Sequence, residues 1–441
     1  MTVIRDPIWA NIWIEPPALE LIDAPAFQRL RRVKQLGLAY LVYPGAVHTR
    51  FDHALGVYHL TGRALRLLGE QGELDRVSEG ERSILRVAGL LHDIGHYPFS
   101  HTVEELETGL VPADHEELAG SFLAEPEVAE ALAPLGPDTA ADVHALIQGR
   151  STSPLQGLVS GSLDLDKIEY LTRDAHFCGV PYGEVDVDRL LDSLRLLDDP
   201  ATGRREVGVA VRGVAALESL LFAKYQMFRN VYWHHAVRAA SVVFQRVVRE
   251  ALTDGWASRA HLVGKGDEEL LAELEILAAA SDSDSARRAL ERLMPAIRHR
   301  RLPKRAAEWS GDALTDALSR LGREVAPWIH EQPGLRAALE DHVALELGLD
   351  PGCLFIDYPA KAGMLELDIL MQARDGSVVR LTSTGRAGLI DLPRLGRDLY
   401  HAARVLRVFS WPRIELTDRD QSRILELVTS PADDVAPALG A

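Results

Sequence analysis

Three segments of this chain carry imidazole and carboxylate groups at spacings suited to a divalent cation. They are Arg50-Phe51-Asp52-His53, then His92-Asp93-Ile94-Gly95-His96, then Asp164-Leu165-Asp166-Lys167. An apolar run, Val87 to Leu91, carries the His92-Asp93 pair into what reads as a buried helix. Buried His and Asp are costly without partners, so the cluster must hold either a metal or a dense hydrogen-bond network. Mixed His and Asp ligation suits Mn, Fe or Zn, and Mg could also serve. Such an ion polarises a phosphoryl oxygen and lowers the pKa of bound water.

The elements that must position these groups read as helices. Ala54 to Gly69 has helical periodicity, and Ser78-Glu79-Gly80-Glu81 looks like a helix start before Ile84 to Leu91. Val185 to Leu197, Val214 to Phe228, Ala236 to Thr253 and Glu268 to Ala280 are further helix candidates, and Ser281 to Ser285 is a polar break that can cap the next helix. Ala39 to Tyr43 is one of the few strand-like stretches of the N-terminal two thirds. From about Leu354 the pattern changes. Phe355 to Tyr358, Met364 to Met371 and Ser377 to Ser383 read as short strands. Leu392 to Phe409 reads as a helix, Arg413 to Leu416 as a strand, and a closing helix runs to about Val428. The tail from Ser430, rich in Pro, Ala and Asp, is expected to fray.

At 441 residues the chain is long enough for one large domain with an appendage, or for two to three domains. Two cysteines, Cys178 and Cys353, cannot build a disulfide framework, which suggests a reducing cytoplasm. The first residues lack a signal-peptide pattern, and no apolar stretch approaches a membrane span. The formal net charge of -17 disfavours broad nucleic-acid binding, though not a local basic site.

Four segments in order carry a resemblance: Phe27 to Gly37, Tyr43 to Val57, the His92-Asp93 block, and Asp164 to Asp174. Together they resemble the HD-superfamily phosphohydrolases, and within them the deoxynucleoside triphosphate (dNTP) triphosphohydrolases. The similarity runs from about Val3 to Val237. It implies a mainly α fold, with an HD-domain helical core and a small mixed α/β C-terminal region. The expected division is a core over 1–260, a helical extension with a basic segment over 261–350, a small α/β region over 351–430, and a disordered tail over 431–441.

The resemblance also implies roles. His53, His92, Asp93 and Asp166 match the ligands of one divalent metal, with an additional Mg accompanying the triphosphate. Lys167 and Arg50 match phosphate-holding positions. His96, His101 and His115 match active-site histidines. Among them His101 is the choice for protonating the leaving 5′ oxygen, with His115 and Glu104 orienting it; a histidine titrates near operating pH. Gln35, Leu36, Tyr170 and Asp174 match the deoxyribose pocket, where Leu36 and Tyr170 leave no room for a 2′-hydroxyl while Gln35 and Asp174 bind the 3′-hydroxyl. Some members are tetramers switched on by a guanine nucleotide. Val3, Asp23, Gln28 and Arg31 match that site, and Arg300 and Lys304 match the pair receiving its phosphates. Thr2 stands where a phosphate-binding lysine is expected, Ala10 replaces a glycine, and Ala236 replaces another lysine.

The expected protein is therefore a cytoplasmic, homo-oligomeric dNTP hydrolase, dimeric or tetrameric, with GTP or dGTP as activator. Two other readings share the same metal: a phosphodiesterase or nuclease, and a nucleotide-sensing scaffold that has lost catalysis. For Arg298 to Arg305 the alternative is a solvated basic helix end.

Overall fold

The computed structural model describes residues 2–107, 109–359, 368–381 and 392–439. The architecture is mainly α, with a helical core and small sheets, as the resemblance implied. An antiparallel hairpin, β1 (Thr2–Asp6) and β2 (Ala10–Ile14), precedes the helices. The core helices are α1 (Arg50–Glu70), α2 (Glu79–Leu91), the short α3 (Ser100–Val103), α4 (His115–Leu123) and α5 (Leu165–Cys178).

Local sequence explains where these helices begin. Thr49 and Asp52 form a capping box at the start of α1, and Ser78 and Glu81 form another at α2. Asp164 caps α5 by accepting from the Lys167 N–H at 3.0 Å. Helix α5 stops at Gly179, whose φ of +68° is the left-handed conformation glycine adopts without strain. Helix α1 is buried on almost every side, so it is the spine of the main apolar core together with α2 and α5.

Strands β3 (Leu194–Asp198) and β4 (Arg205–Ala210) form a hairpin, followed by α6 (Val214–Met227), α7 (His235–Thr253) and α8 (Asp267–Ala279). A further strand, β5 (Lys304–Ser310), leads to α9 (Pro333–Glu346) and β6 (Leu354–Asp357). Strands β7 (Ile369–Gln372) and β8 (Val378–Leu381) precede α10 (Leu392–Ala403), β9 (Val405–Ser410), α11 (Asp418–Thr429) and α12 (Ala432–Leu439). One sheet has the order β3-β4-β7-β8, with β4 and β7 parallel; the other has the order β5-β9-β6 and is antiparallel. Strand pairing therefore ties the region after residue 351 back to residues 194–210 and 304–310.

Several sequence expectations need correction. Ala39 to Tyr43 is not a strand; Gly37–Leu41 is a 3-10 turn. Val185 to Leu197 is not one helix; a short helix, Val187–Asp192, gives way to β3, because Leu194 and Leu196 pair with Val209 and Val207. Leu392 to Phe409 breaks at Ala403, and the rest is the central strand β9. Arg413 to Leu416 forms no strand. The basic segment is a helix end only at its first residue: the helix stops at Arg298, and Lys304 already opens β5. The tail is helical over Ala432–Leu439, with Val435 buried, instead of fraying. The expected strand residues 364–367 and 382–383 lie outside the described residues. Among the described residues no helix is long and apolar enough to cross a membrane.

Candidate metal centre and active site

The capping box puts Arg50 and His53 in the first turn of α1. His53 is fully buried. Its Nδ1 lies 2.6 Å from Glu169 Oε2, and its Nε2 lies 2.9 Å from Asp166 Oδ1. Both carboxylates come from α5, one helical turn apart. Glu169 reaches His53 because residue 56 is glycine: a Cβ there would stand 2.0 Å from Glu169 Oε1. Arg173, one turn further along α5, holds Glu169 at 2.6 Å and Asp6 of the hairpin at 3.0 Å. Trp9 donates to Glu169 Oε1 at 2.8 Å.

His92 caps the C-terminal end of α2, so the His-Asp pair sits in the turn leaving the helix and not within it. Its Nδ1 faces the Gly89 carbonyl at 3.0 Å. Its Nε2 is 3.1 Å from His53 Nε2, 3.4 Å from Asp93 Oδ1 and 3.6 Å from Asp166 Oδ1. With each Nδ1 donating to an acceptor, two Nε2 lone pairs face one another between two carboxylates. That donor set fits a divalent cation. His53, His92 and Asp166 offer ligand atoms within 4.8 Å of one another, and Asp93 Oδ2 lies 3.8 Å from His53 Nε2. Protonation shows the same need for positive charge. Burial opposes it at His53, yet hydrogen bonds to Asp166 and Glu169 push that pKa up to about 10. Burial also opposes charge on Asp93, but Arg50, His92 and His96 hold its carboxyl well below the usual range.

The second cluster lies on the turn after His92. His96 Nε2 is 3.1 Å from Asp93 Oδ1, and its Nδ1 is 2.7 Å from Ser100 Oγ. Its ring stacks on His115 with centroids 3.7 Å apart. Gly95 permits this, since a Cβ there would stand 2.0 Å from the His115 carbonyl oxygen. Glu104 bridges the remaining two histidines, 3.3 Å from His101 Nδ1 and 3.3 Å from His115 Nδ1. Despite burial, those two imidazoles hold the Glu104 carboxyl far below its usual range. Burial, then Arg50 and His115, drives His96 well below the usual histidine value. His96, Glu104 and His115 also lie close enough to share an ion. Both His96 nitrogens already have partners, however, so the arrangement suits proton handling better. His101 is the open member, with 57% of its side chain exposed.

The HD domain family matches residues 50–153, and the HD associated region matches residues 185–386. The chain thus carries an HD domain followed by an HD associated region. It is 36% identical over 249 residues to an uncharacterized protein of Methanocaldococcus jannaschii, covering 56% of this chain and 49% of that protein. It is 27% identical over 348 residues to the deoxynucleoside triphosphate triphosphohydrolase SAMHD1 homolog of Dictyostelium discoideum, covering 73% of this chain and 65% of that protein. A hypothetical protein from Aquifex aeolicus has the same fold, with a TM-score of 0.68 and 26% identity, over 93% of this chain and 96% of that one. The chain spans about half the length of the first curated relatives it matches.

In this HD chain, α5 carries three more of the expected residues besides Asp166, namely Lys167, Tyr170 and Asp174. Lys167 Nζ donates to the Gly161 carbonyl at 2.8 Å and pairs with Asp164. Arg50 is buried and donates to Asp93 Oδ2 at 2.8 Å, so it braces a candidate metal ligand. Tyr170 is half-buried, 6.5 Å from the ring of Tyr232. Asp174 is engaged at both oxygens, by His48 Nε2 at 2.8 Å and by the Tyr232 hydroxyl at 2.6 Å. Gln35 Oε1 is buried without a hydrogen-bond partner, and Leu36 packs on Ala39, Ala46 and Val237. Sequence reasoning missed Glu169, Arg173, His48 and Tyr232. The spacing of Glu169 from Asp166 was a usable signal, whereas nothing local marked Tyr232.

The expected regulatory residues fall into two groups. Val3 is 41% exposed on β1, directly opposite Trp13 on β2. Asp23 ends a short helix. Gln28 donates to the Ile22 carbonyl at 2.7 Å and accepts from Arg31 Nε at 2.8 Å, while the Arg31 guanidinium lies over the Phe51 ring. Arg300, with φ of +54°, donates through Nε to the Leu41 carbonyl, and Lys304 is exposed at the start of β5. Among the described residues no hydrogen bond or ion pair joins the two groups within one chain.

Proposed function

We propose that this HD protein hydrolyses a dNTP to deoxynucleoside and inorganic triphosphate. The observation that carries the reading is α5, which bears Asp166, Lys167, Tyr170 and Asp174 within a little over two turns, with Asp174 bonded to His48, whose carbonyl accepts from the Gln35 N–H. One helix thus sets a metal ligand, a phosphate cation and sugar-reading groups in fixed order. The likeness to proteins named dNTP triphosphohydrolases supports the same substrate class.

His53, His92, Asp93 and Asp166 would hold the ion, which when bound supplies Lewis-acid polarisation of a phosphoryl oxygen and a more acidic water. Lys167 and Arg50 neutralise phosphate oxygens. His101, backed by Glu104, delivers the proton to the leaving 5′ oxygen, with His115 bracing Glu104 and His96 stacked on His115. Gln35 Oε1 and Asp174 receive the 3′-hydroxyl, and Leu36 with Tyr170 crowds C2′. A guanine nucleotide would bind between subunits of a dimer or tetramer, at Val3, Asp23, Gln28 and Arg31 of one and the phosphate-binding Arg300 and Lys304 of another. The proposed compartment is the cytoplasm, where unpaired Cys178 and Cys353 are stable.

Incubation with each dNTP, with and without GTP or dGTP, tests the reading. Deoxynucleoside with intact triphosphate is the expected product. A shortened nucleic acid or cleaved diester would replace the reading with a phosphodiesterase or nuclease, and tight binding without turnover would replace it with a sensor.

A further inference from the structure

We propose that Arg238 and Glu105 are positioning residues for the proton-delivering group, and that Asp357 of the C-terminal sheet completes their clamp. The proposal rests on the hydrolase reading of His101 and Glu104.

Helix α3 has four residues, too few to hold its own conformation by helix propensity. It carries His101, and Glu104 follows directly. Helix α7 grips this segment at both ends. At the entry, the Phe99 ring packs on Phe244 at 4.6 Å. Phe99 itself has φ of +56°, a left-handed conformation that costs energy for a bulky residue and persists only where the surroundings impose it. At the exit, Arg238 forms a two-pronged pair with Glu105, NH1 to Oε1 at 2.8 Å and NH2 to Oε2 at 2.7 Å. Gln245 donates to Glu105 Oε2 at 2.7 Å and to the Thr102 carbonyl at 3.1 Å. Arg249 Nε donates to Glu107 at 3.1 Å. Positions 238, 245 and 249 share one face of α7, so the helix presents a polar stripe to the segment.

The other side of the Arg238 guanidinium meets Asp357 Oδ1, at 3.0 Å from Nε and 2.8 Å from NH2. Asp357 is the last residue of β6 and is 1% exposed. A buried guanidinium facing two carboxylates has its angle fixed as well as its distance. Glu104 and Glu105 are neighbours, so their α-carbons are about 3.8 Å apart. One carboxylate turns to His101 and His115, the other to α7. Whatever fixes Glu105 therefore fixes the carboxylate that holds His101. Displacing a reacting group by an ångström costs about 100-fold in rate. Among the described residues, no hydrogen bond or ion pair of Arg238, Glu105 or Asp357 reaches a candidate metal ligand or the Lys167 and Tyr170 side chains.

The test uses the full-length, metal-loaded protein and the variants Glu105→Gln, Arg238→Lys and Asp357→Asn. Glu105→Gln is expected to lower kcat by about 10- to 100-fold with KM changed less than about twofold. Arg238→Lys keeps the charge but lacks the fork, and should lose kcat in the same way. Asp357→Asn leaves the Arg238–Glu105 pair intact, and a smaller kcat loss is expected; it also serves if the other two fail to fold. The second readout is independent of turnover: the histidine ring resonances of His101 and His115 should shift in all three variants, although none of the substituted side chains touches those rings. Unchanged kcat with unmoved resonances in Glu105→Gln overturns the proposal. Parallel loss of metal and rise of KM also overturns it, by showing a merely structural role. A wild-type protein that turns over no nucleotide defeats the hydrolase reading alone, and the resonances then decide the positioning claim.

Discussion

The carboxylate of Glu169 lies 2.6 Å from Nδ1 of His53, and both side chains are fully buried. The contact fixes the imidazole with its proton on Nδ1 and its Nε2 turned to Asp166. Such partners orient a ligand and raise its basicity, and so tune metal affinity. Glu169→Gln keeps the shape and removes the charge, so metal affinity should fall by about 10- to 100-fold. Competition against a coloured chelator measures it, and an unchanged Kd would show that Glu169 serves packing alone.

Removing the ligands themselves should be more severe. His92→Ala takes away a nitrogen donor, and Asp93→Asn takes away a charge that also pairs with Arg50 at 2.8 Å. Both variants are expected to lose turnover entirely, with bound metal reduced when measured by elemental analysis. Full activity in a metal-free His92→Ala protein would end the metal-centre assignment.

The candidate metal cluster was legible in the sequence because its members sit in short local motifs at helix ends, with caps Thr49-Asp52 before His53 and Asp164 before Asp166. Glu169 was legible in principle, one turn from Asp166, but only the glycine at position 56 lets it reach His53. Strand β9 was not legible. Val405–Ser410 is buried throughout, and a continuous buried run cannot be told from a buried helix by periodicity. Only its place between β5 and β6 decides the matter. Strand β5 does alternate toward its end, with Ala307 and Trp309 inward, yet the charges of Arg298 to Arg305 dominated the pattern. The Arg238 clamp joins residues 133 and 119 positions apart, a relationship that no local spacing records.

Asp267 gives a pH prediction. Its Oδ2 accepts from the Lys34 backbone N–H at 3.1 Å and faces Lys34 Nζ at 3.3 Å, next to Gln35. Burial outweighs Lys34 and pushes its carboxyl up from 3.8 to about 6. A folded-state pKa above the unfolded one means that protonation favours the fold. This contribution is complete below about pH 4 and is lost as pH rises through 6. The interval corresponds to ~3 kcal/mol at most. Melting temperatures of the wild type and of Asp267→Asn, measured from pH 3 to 8, should diverge between about pH 4 and 6, with the wild type losing ground. A difference that stays flat across that window would reject the assignment.

The selectivity prediction depends on Leu36 and Tyr170. Leu36 packs against the apolar cluster of Ala39, Ala46 and Val237. Tyr170 is fixed on α5 one turn beyond Asp166, with the Tyr232 ring beside it. If these two side chains form the proposed gate, it would discriminate by exclusion, leaving no room for a 2′-hydroxyl. The wild type should therefore cleave dATP and leave ATP essentially untouched. Tyr170→Ala opens space without removing a metal ligand or a phosphate cation, so the ratio of kcat/KM for ATP over dATP should rise by about tenfold or more. Metal content should stay unchanged in that variant, which separates a widened pocket from a damaged centre. Comparable turnover of ATP and dATP by the wild type would show that these two residues are ordinary core packing.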